Sequence, residues 1–425
     1  MTLKRTVIVV LMVLIGVTAL LRLAGTIVFA DPAITAVTPA QTQDFDARLI
    51  ARGRELAAVG NCAACHTAPG GAALAGGLAL HTPFGVIYSD NITPDPKYGI
   101  GAWSKADFER AMREGIAPDG QHLYPAFPYD YFARMKHGDL DALYAYLMTR
   151  TPVQQKKPEN RLDFPFNLRV LLTGWNLLFL SPSPIVAEPN HTASWNRGRY
   201  LVQSLAHCGA CHTPRNWLEG TVEGENLSGG VAEGWTAPAL NHKSPAPLVW
   251  TEAELETYLR TGIDAHHGAA AGPMRAVTHS LGNAAPGDIH AIAVYIASLM
   301  PVVPPAHAPF TPRTKTATAA AIVEGVCANC HGPTALIAQG RWPPLAASTA
   351  LQENSPRNTI QILMNGLPLP NVRSEPFMPG FSAILTDAQI AQVAQYLREH
   401  IAHRKPWSDV GDMVRRIRAE NPGAP

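Results

Sequence analysis

All six cysteines of this chain fall into three Cys-x-x-Cys-His pentapeptides: Cys62-Ala-Ala-Cys65-His66, Cys208-Gly-Ala-Cys211-His212 and Cys327-Ala-Asn-Cys330-His331. At this composition, one such pentapeptide arises by chance in roughly three sequences per thousand. Two thiols one helical turn apart can add across the vinyl groups of a porphyrin, and the adjoining imidazole then reaches iron from the proximal side. A zinc site needs four ligands, and one pentapeptide supplies three. Thioredoxin-type redox pairs sit in a βαβ context, which is absent from this sequence. Paired disulfides would account for an even count but not for three histidines in register. The pattern predicts three covalent haem c groups. Cys62, Cys65, Cys208, Cys211, Cys327 and Cys330 are the attachment residues, and His66, His212 and His331 the proximal iron ligands.

The pentapeptides also divide the chain. At 425 residues it is too long for one core, and each motif sits in the same surroundings. A helix precedes each one: Leu49–Val59, Trp195–Ala206 and Ala317–Val326. An amphipathic stretch ending in glycine follows: Lys105–Gly115, Glu252–Gly262 and Asn358–Gly366. A third helix closes each unit: Leu140–Met148, Ile289–Leu299 and Asp387–His400, with Ser194 and Asp387 as expected N-caps of their helices. Pro-rich links, Ser181–Asn190 and Pro301–Pro312, separate the units. The expectation is an all-α fold of three tandem cytochrome c-like domains, at 45–180, 191–300 and 313–403, ahead of a basic tail at 404–425.

The distal ligands follow from the same register. Met274 and Met378 each lie twelve residues beyond a unit's glycine, Gly262 and Gly366, in Pro/Gly-rich sequence expected to be loop. A thioether there can face iron from the far side, and His/Met ligation leaves no open position for chemistry. The first unit departs from this, because Phe127 stands twelve residues beyond Gly115. Met112 aligns with Leu259 and Leu363 and reads as core. Met135 is the preferred substitute, with packing as its alternative role; His122, His137 and an open iron are the other possibilities. Pro238 and Pro344 are candidate carbonyl acceptors for the second ring N–H of His212 and His331. His266, His267 and His279 read as solvated surface.

Residues 1–30 open with Lys4 and Arg5 and then run apolar, the pattern of a cleaved export signal or an uncleaved anchor. Either one puts the rest of the chain outside the cytoplasm. Leu162–Leu180 is the other strongly apolar segment, read as interdomain packing or as a surface for a membrane or a partner. A net charge of +1 argues against nucleic acid as a partner.

With these motifs in place, the chain resembles the three-haem cytochrome c subunits of membrane-bound bacterial periplasmic dehydrogenases. The resemblance runs from about residue 48 to 400. It rests on Arg-Gly-Arg-Glu-Leu before the first pentapeptide, Asn-Ile-Thr-Pro-Asp (91–95), His-Leu-Tyr-Pro-Ala-Phe-Pro-Tyr (122–129), Ala-Gly-Pro-Met (271–274) and Met-Pro-Gly-Phe (378–381). It implies a subunit on the periplasmic side of the inner membrane. Such a subunit takes electrons from a large catalytic partner (a quinoprotein alcohol dehydrogenase, a flavoprotein sugar or sugar-acid dehydrogenase, or a molybdenum hydroxylase acting on aldehydes or N-heterocycles) and passes them to ubiquinone or a terminal oxidase. In the quinoprotein and flavoprotein branches the residue at Phe127 is methionine. Phe127, with Asp-Phe-Pro-Phe-Asn-Leu-Arg and Gly-Trp-Asn-Leu-Leu-Phe-Leu, leans toward the molybdenum branch. No P-loop, Rossmann glycine pattern or catalytic metal motif is present, so no catalytic residue is expected on this chain. The rival readings are a peroxidase-like enzyme with an open first haem and a free-standing electron shuttle.

Overall fold

Two glycines fix the crossings on which the fold is built. The computed structural model describes residues 45–304, 310–312, 317–332, 335, 344–367 and 378–420, together with 12 and 16. Helix α1 (Ala47–Val59) and the short α2 (Cys62–His66) open the described chain. They are followed by α3 (Lys105–Glu114), α4 (Tyr129–Phe132), α5 (His137–Met148) and α6 (Leu171–Phe179). A Cβ on Gly53 of α1 would lie 1.9 Å from the Ala142 carbonyl oxygen of α5, so the two backbones are in direct contact. No larger residue fits there.

The same crossing recurs further on. Helix α7 (Ala193–Gln203) meets α11 (Pro286–Leu299) at Gly198, where a Cβ would lie 1.8 Å from the Ala291 carbonyl. Arg197 and Asp288 clamp this crossing through two parallel bonds, Nε–Oδ1 at 2.8 Å and Nη2–Oδ2 at 3.2 Å. Between them run α8 (Gly209–His212), α9 (Glu252–Thr261) and α10 (Pro273–Leu281). The last group comprises α12 (Ala317–Ile322), which continues into a π-helical turn at Val323–Cys327, then α13 (Ala328–His331), α14 (Thr349–Gln352), α15 (Arg357–Asn365), α16 (Asp387–Tyr396) and α17 (Val410–Glu420). Ala319 of α12 is fully buried in the core formed with Ile360, Leu363, Ile390 and Val393.

The predicted helices appear within a few residues of their expected ends, but two caps differ. Thr192, not Ser194, caps α7, its hydroxyl accepting the Trp195 N–H. Thr386, not Asp387, caps α16, in a reciprocal box with Gln389. Both threonines hold extended backbone, whereas Ser194 and Asp387 already lie inside their helices. The stretch expected as a basic tail at 404–425 also contributes to the core. Val410, Val414 and Ile417, spaced to share one face, belong to the core around α15 and α16.

Short hairpins join the helices: β1 (Ala79–Thr82) with β2 (Gly85–Tyr88), and β4 (Gly230–Ala232) with β5 (Trp235–Ala237). β3 (Arg161–Leu162) adds to β2, and β6 (Ile263–Asp264) pairs with β7 (Gly268–Ala269). Among the described residues, the other regular elements are helices.

The chain divides into two compact units: 1–54 with 65–184, and 55–64 with 185–425. Inside the second unit, Asn358 of α15 bonds both the N–H and the carbonyl of Thr236 (2.9 and 2.7 Å). Gln361 donates to the Gly234 carbonyl at 2.7 Å. These bonds fasten the last group of helices to the β4–β5 hairpin. In the first unit, α6 buries Leu172 and Trp175. Phe164 (78% exposed), Leu177 (80%) and Leu178 (69%) face outward. Among the described residues, no helix is long and apolar enough to cross a membrane. Residues 1–30, where a signal or anchor is expected, lie outside the described residues apart from Met12 and Gly16.

Candidate haem sites

Each pentapeptide forms a single helical turn, on α2, α8 and α13. A shared loop follows the first two. Gly76 N–H donates to the His66 carbonyl (2.7 Å), and Gly229 N–H to that of His212 (2.8 Å). The hydroxyls of Thr67 and Thr213 accept the N–H of Leu74 and Leu227 (3.1 and 3.0 Å). Both leucines are buried in left-handed backbone, at φ of 62° and 58°.

The chain then runs through a hairpin and returns beneath the imidazole. Ile92 N–H reaches the Leu74 carbonyl (2.9 Å), and Leu240 N–H that of Leu227 (2.8 Å). Two residues before each of these stands the carbonyl that holds the histidine. His66 Nδ1 is 2.6 Å from the Asp90 oxygen, and His212 Nδ1 is 2.7 Å from the Pro238 oxygen. Pro238 is the acceptor expected from the sequence. Asp90 escapes sequence reasoning because no proline marks it; its one signal is Asn91-Ile92 set against Ala239-Leu240. His331 Nδ1 is buried with no hydrogen-bond partner among the described residues, so Pro344 is not seen to bond it. Pro343, two residues before Leu345, lies outside them.

These bonds leave Nε2 of His66 and His212 as the nitrogen available to a metal. Burial lowers the pKa of His66, His212 and His331, which favours the neutral, ligating imidazole. Burial also pushes the Cys208 thiol up to about 12 and raises Cys211 and Cys327. Such thiols lack the thiolate character that exchange chemistry needs. None of the six cysteines is in a disulfide.

The distal positions expected from the sequence follow glycine-capped helices. Gly115 and Gly262 end α3 and α9 in left-handed backbone. Eight residues on, Leu123 and Ala270 donate back to these glycine carbonyls at 2.6 and 2.8 Å. Four residues further stand Phe127 and Met274, so the backbone gives them the same register. Met274 lies in the first turn of α10 rather than in a loop, because Gly272 (φ 51°) turns the chain and Pro273 starts the helix. Met378 occupies a different place: it bridges Leu367, whose N–H donates to its carbonyl at 2.9 Å. Phe127 packs on Phe132, with ring centroids 5.3 Å apart. Met135 is 2% exposed, and Arg113 holds its carbonyl at 2.8 Å. Met112 is buried on α3, as expected of a core residue. His137 pairs at the surface with Glu109, and His122 Nε2 lies 3.1 Å from the Thr173 hydroxyl.

Residues 50–151 match the family model of cytochrome c, and 314–397 that of subunit III of the cbb3-type cytochrome c oxidase. Over 95% of its length the chain is 37% identical to the fructose dehydrogenase cytochrome subunit of Gluconobacter japonicus, covering 88% of that relative. Over 91% it is 37% identical to the cytochrome c subunit of the quinone alcohol dehydrogenase of Komagataeibacter europaeus, covering 87%. The chain belongs to the cytochrome c subunits of dehydrogenase complexes. It is also 45% identical, over 92% of its length, to a nicotinate dehydrogenase component of Pseudomonas putida, but spans only 33% of that protein.

A family of this kind implies covalent haem c, and the residues of the cytochrome fit it. The cysteines are spaced on single turns, outside any disulfide, and the imidazoles at 66 and 212 are already oriented by carbonyls. The cytochrome is an electron-transfer subunit of an oxidoreductase complex.

Proposed function

We propose that this cytochrome carries three haems, one per pentapeptide, in three tandem cytochrome c domains, and relays electrons from a separate catalytic dehydrogenase to ubiquinone or a terminal oxidase. The observation that carries the reading is the exhaustion of all six cysteines by three helical turns that each end in histidine. Bound haem supplies reversible one-electron chemistry at iron. The protein's part is to hold His66, His212 and His331 on one side and Met274 and Met378 on the other. An export signal or anchor at 1–30 fits a site of action on the periplasmic face of the inner membrane. The catalytic work then belongs to another chain. The 45% identity to a dehydrogenase component named for nicotinate, an N-heterocycle, supports the lean toward a molybdenum hydroxylase partner.

Haem content tests the count. Haem determined spectrally after alkaline pyridine denaturation should equal three per chain, and Cys327→Ala with Cys330→Ala should reduce it to two. A value of two in the unaltered protein would sink the reading.

At the first haem we assign Met135 as distal ligand, supported by its burial between α4 and α5 close to Phe127's position in the chain. Met135→Leu should then convert one low-spin haem to a high-spin, CO-binding one, and adding Phe127→Met should restore it. Three low-spin haems in Met135→Leu would return Met135 to core packing. Phe127 also favours a second reading, a peroxidase-like first haem with an open iron. That reading requires the unaltered protein itself to bind CO at one haem.

A further inference from the structure

A cluster of donors in the second unit lies outside everything assigned to haem. Glu254, at the start of α9, Asp264 of β6 and His266 in the β6–β7 turn place one ligand atom each within 4.8 Å of one another. The next residue, His267, is expected from the sequence at the surface, and the fold buries it instead. Its side chain is 1% exposed, and neither ring nitrogen has a hydrogen-bond partner among the described residues. The ring stacks flat on Trp250, centroids 3.5 Å apart and planes 12° from parallel, which fixes its direction. Its Nε2 stands 3.5 Å from Glu254 Oε2. That is long for a hydrogen bond.

We propose that Glu254, Asp264, His266 and His267 form a site for a divalent transition metal of the zinc class. Two imidazoles with two carboxylates suit such an ion better than calcium or magnesium, which take oxygen ligands. The carboxylates are already oriented by bonds that a metal would leave in place. Thr251 donates its N–H and hydroxyl to Glu254 Oε2 at 2.9 and 2.7 Å. Asp264 Oδ1 accepts the N–H groups of His266 and His267 at 2.9 and 3.1 Å, and neither bond uses Oδ2. The one bond that gives way is that between His266 Nδ1 and Glu254 Oε1, at 2.7 Å. The ion would tie the β6–β7 turn to the first turn of α9. That turn lies seven residues ahead of Met274, so the metal would brace the segment leading into it.

The test uses the full haem-loaded chain, stripped with a chelator and then titrated with zinc chloride by calorimetry. Metal content is read after dialysis. One zinc per chain is expected, together with a raised melting temperature. His266→Ala, an exposed substitution whose folding is checked by its unchanged haem spectrum, should weaken binding roughly tenfold or more. Asp264→Asn should do the same, and His279→Ala, at the exposed end of α10, should leave binding unchanged. Absence of stoichiometric zinc, or equal binding in His266→Ala and Asp264→Asn, would overturn the assignment.

Discussion

Glu353→Gln should make the second unit more stable than the unaltered protein at pH 9 and less dependent on pH between 5 and 8. Glu353 is 5% exposed, and burial raises its carboxyl pKa from 4.5 to about 8 against the opposing hydrogen bond from Asn358. Asn358 Nδ2 donates to Oε1 at 3.1 Å, whereas Oε2 is buried with no hydrogen-bond partner among the described residues. The sign follows from proton binding. Between the unfolded and folded pKa values the folded chain keeps a proton that the unfolded chain has lost, so stability falls as pH rises. The contribution is fully present below about pH 4.5 and is lost by the time pH passes about 8. A shift of this size corresponds to about 3–5 kcal/mol across that window. Glutamine keeps the acceptor for Asn358 and removes the ionisation, leaving an unmatched amide N–H at a cost of about 1–3 kcal/mol. Urea unfolding followed by circular dichroism at pH 5, 7 and 9 measures the effect. Parallel pH profiles for the two proteins would show that the carboxyl is ionised in the fold.

Glu353 also shows where sequence reading stops. Its burial comes from a junction: Asn358 reaches across to Thr236, and Trp407 Nε1 donates to the Glu353 carbonyl at 2.9 Å. Contacts this distant in sequence leave no local signature. The pentapeptides are legible because covalent chemistry dictates residue type and spacing together. The helices are legible because their apolar faces recur with a helical period, as in Ile390, Val393, Ala394 and Leu397. The hairpins are not, since strands of three or four residues are too short to show alternation. Yet they return the chain so that Asp90 and Pro238 face the histidines. In α17, the charges of Arg415, Arg416 and Arg418 obscure the apolar spacing of Val410, Val414 and Ile417. His267 is illegible for a related reason: a histidine beside another histidine gives no sign of which one turns inward. Trp250 decides it, from seventeen residues away.

Gly198→Ala should lower the stability of the second unit by on the order of 2–4 kcal/mol, a melting shift of about 5–10 °C. The obstacle is backbone: the added methyl would meet the Ala291 carbonyl oxygen at 1.8 Å, its carbon at 2.6 Å and Tyr295 Cβ at 2.8 Å. No rotamer relieves such an overlap, so α7 and α11 must move apart. The adjoining Arg197–Asp288 pair, whose aspartate is buried, would stretch with them. Gly287 is the matched control on α11 itself. A Cβ there meets nothing within 4 Å, and alanine should be neutral or stabilising by up to about 1 kcal/mol. The two variants separate steric contact from helix propensity, because both replace a helical glycine with the same residue. If Gly198→Ala melted with Gly287→Ala, the crossing would not be the close contact described. The effect should also reach the haem that we propose at Cys208, Cys211 and His212. Helix α7 ends at Gln203, only five residues before Cys208, and Ser204 bonds back to the last turn through its hydroxyl. A displaced α7 therefore shifts the turn that carries the thiols, and the optical signature of that haem should broaden along with the loss of stability.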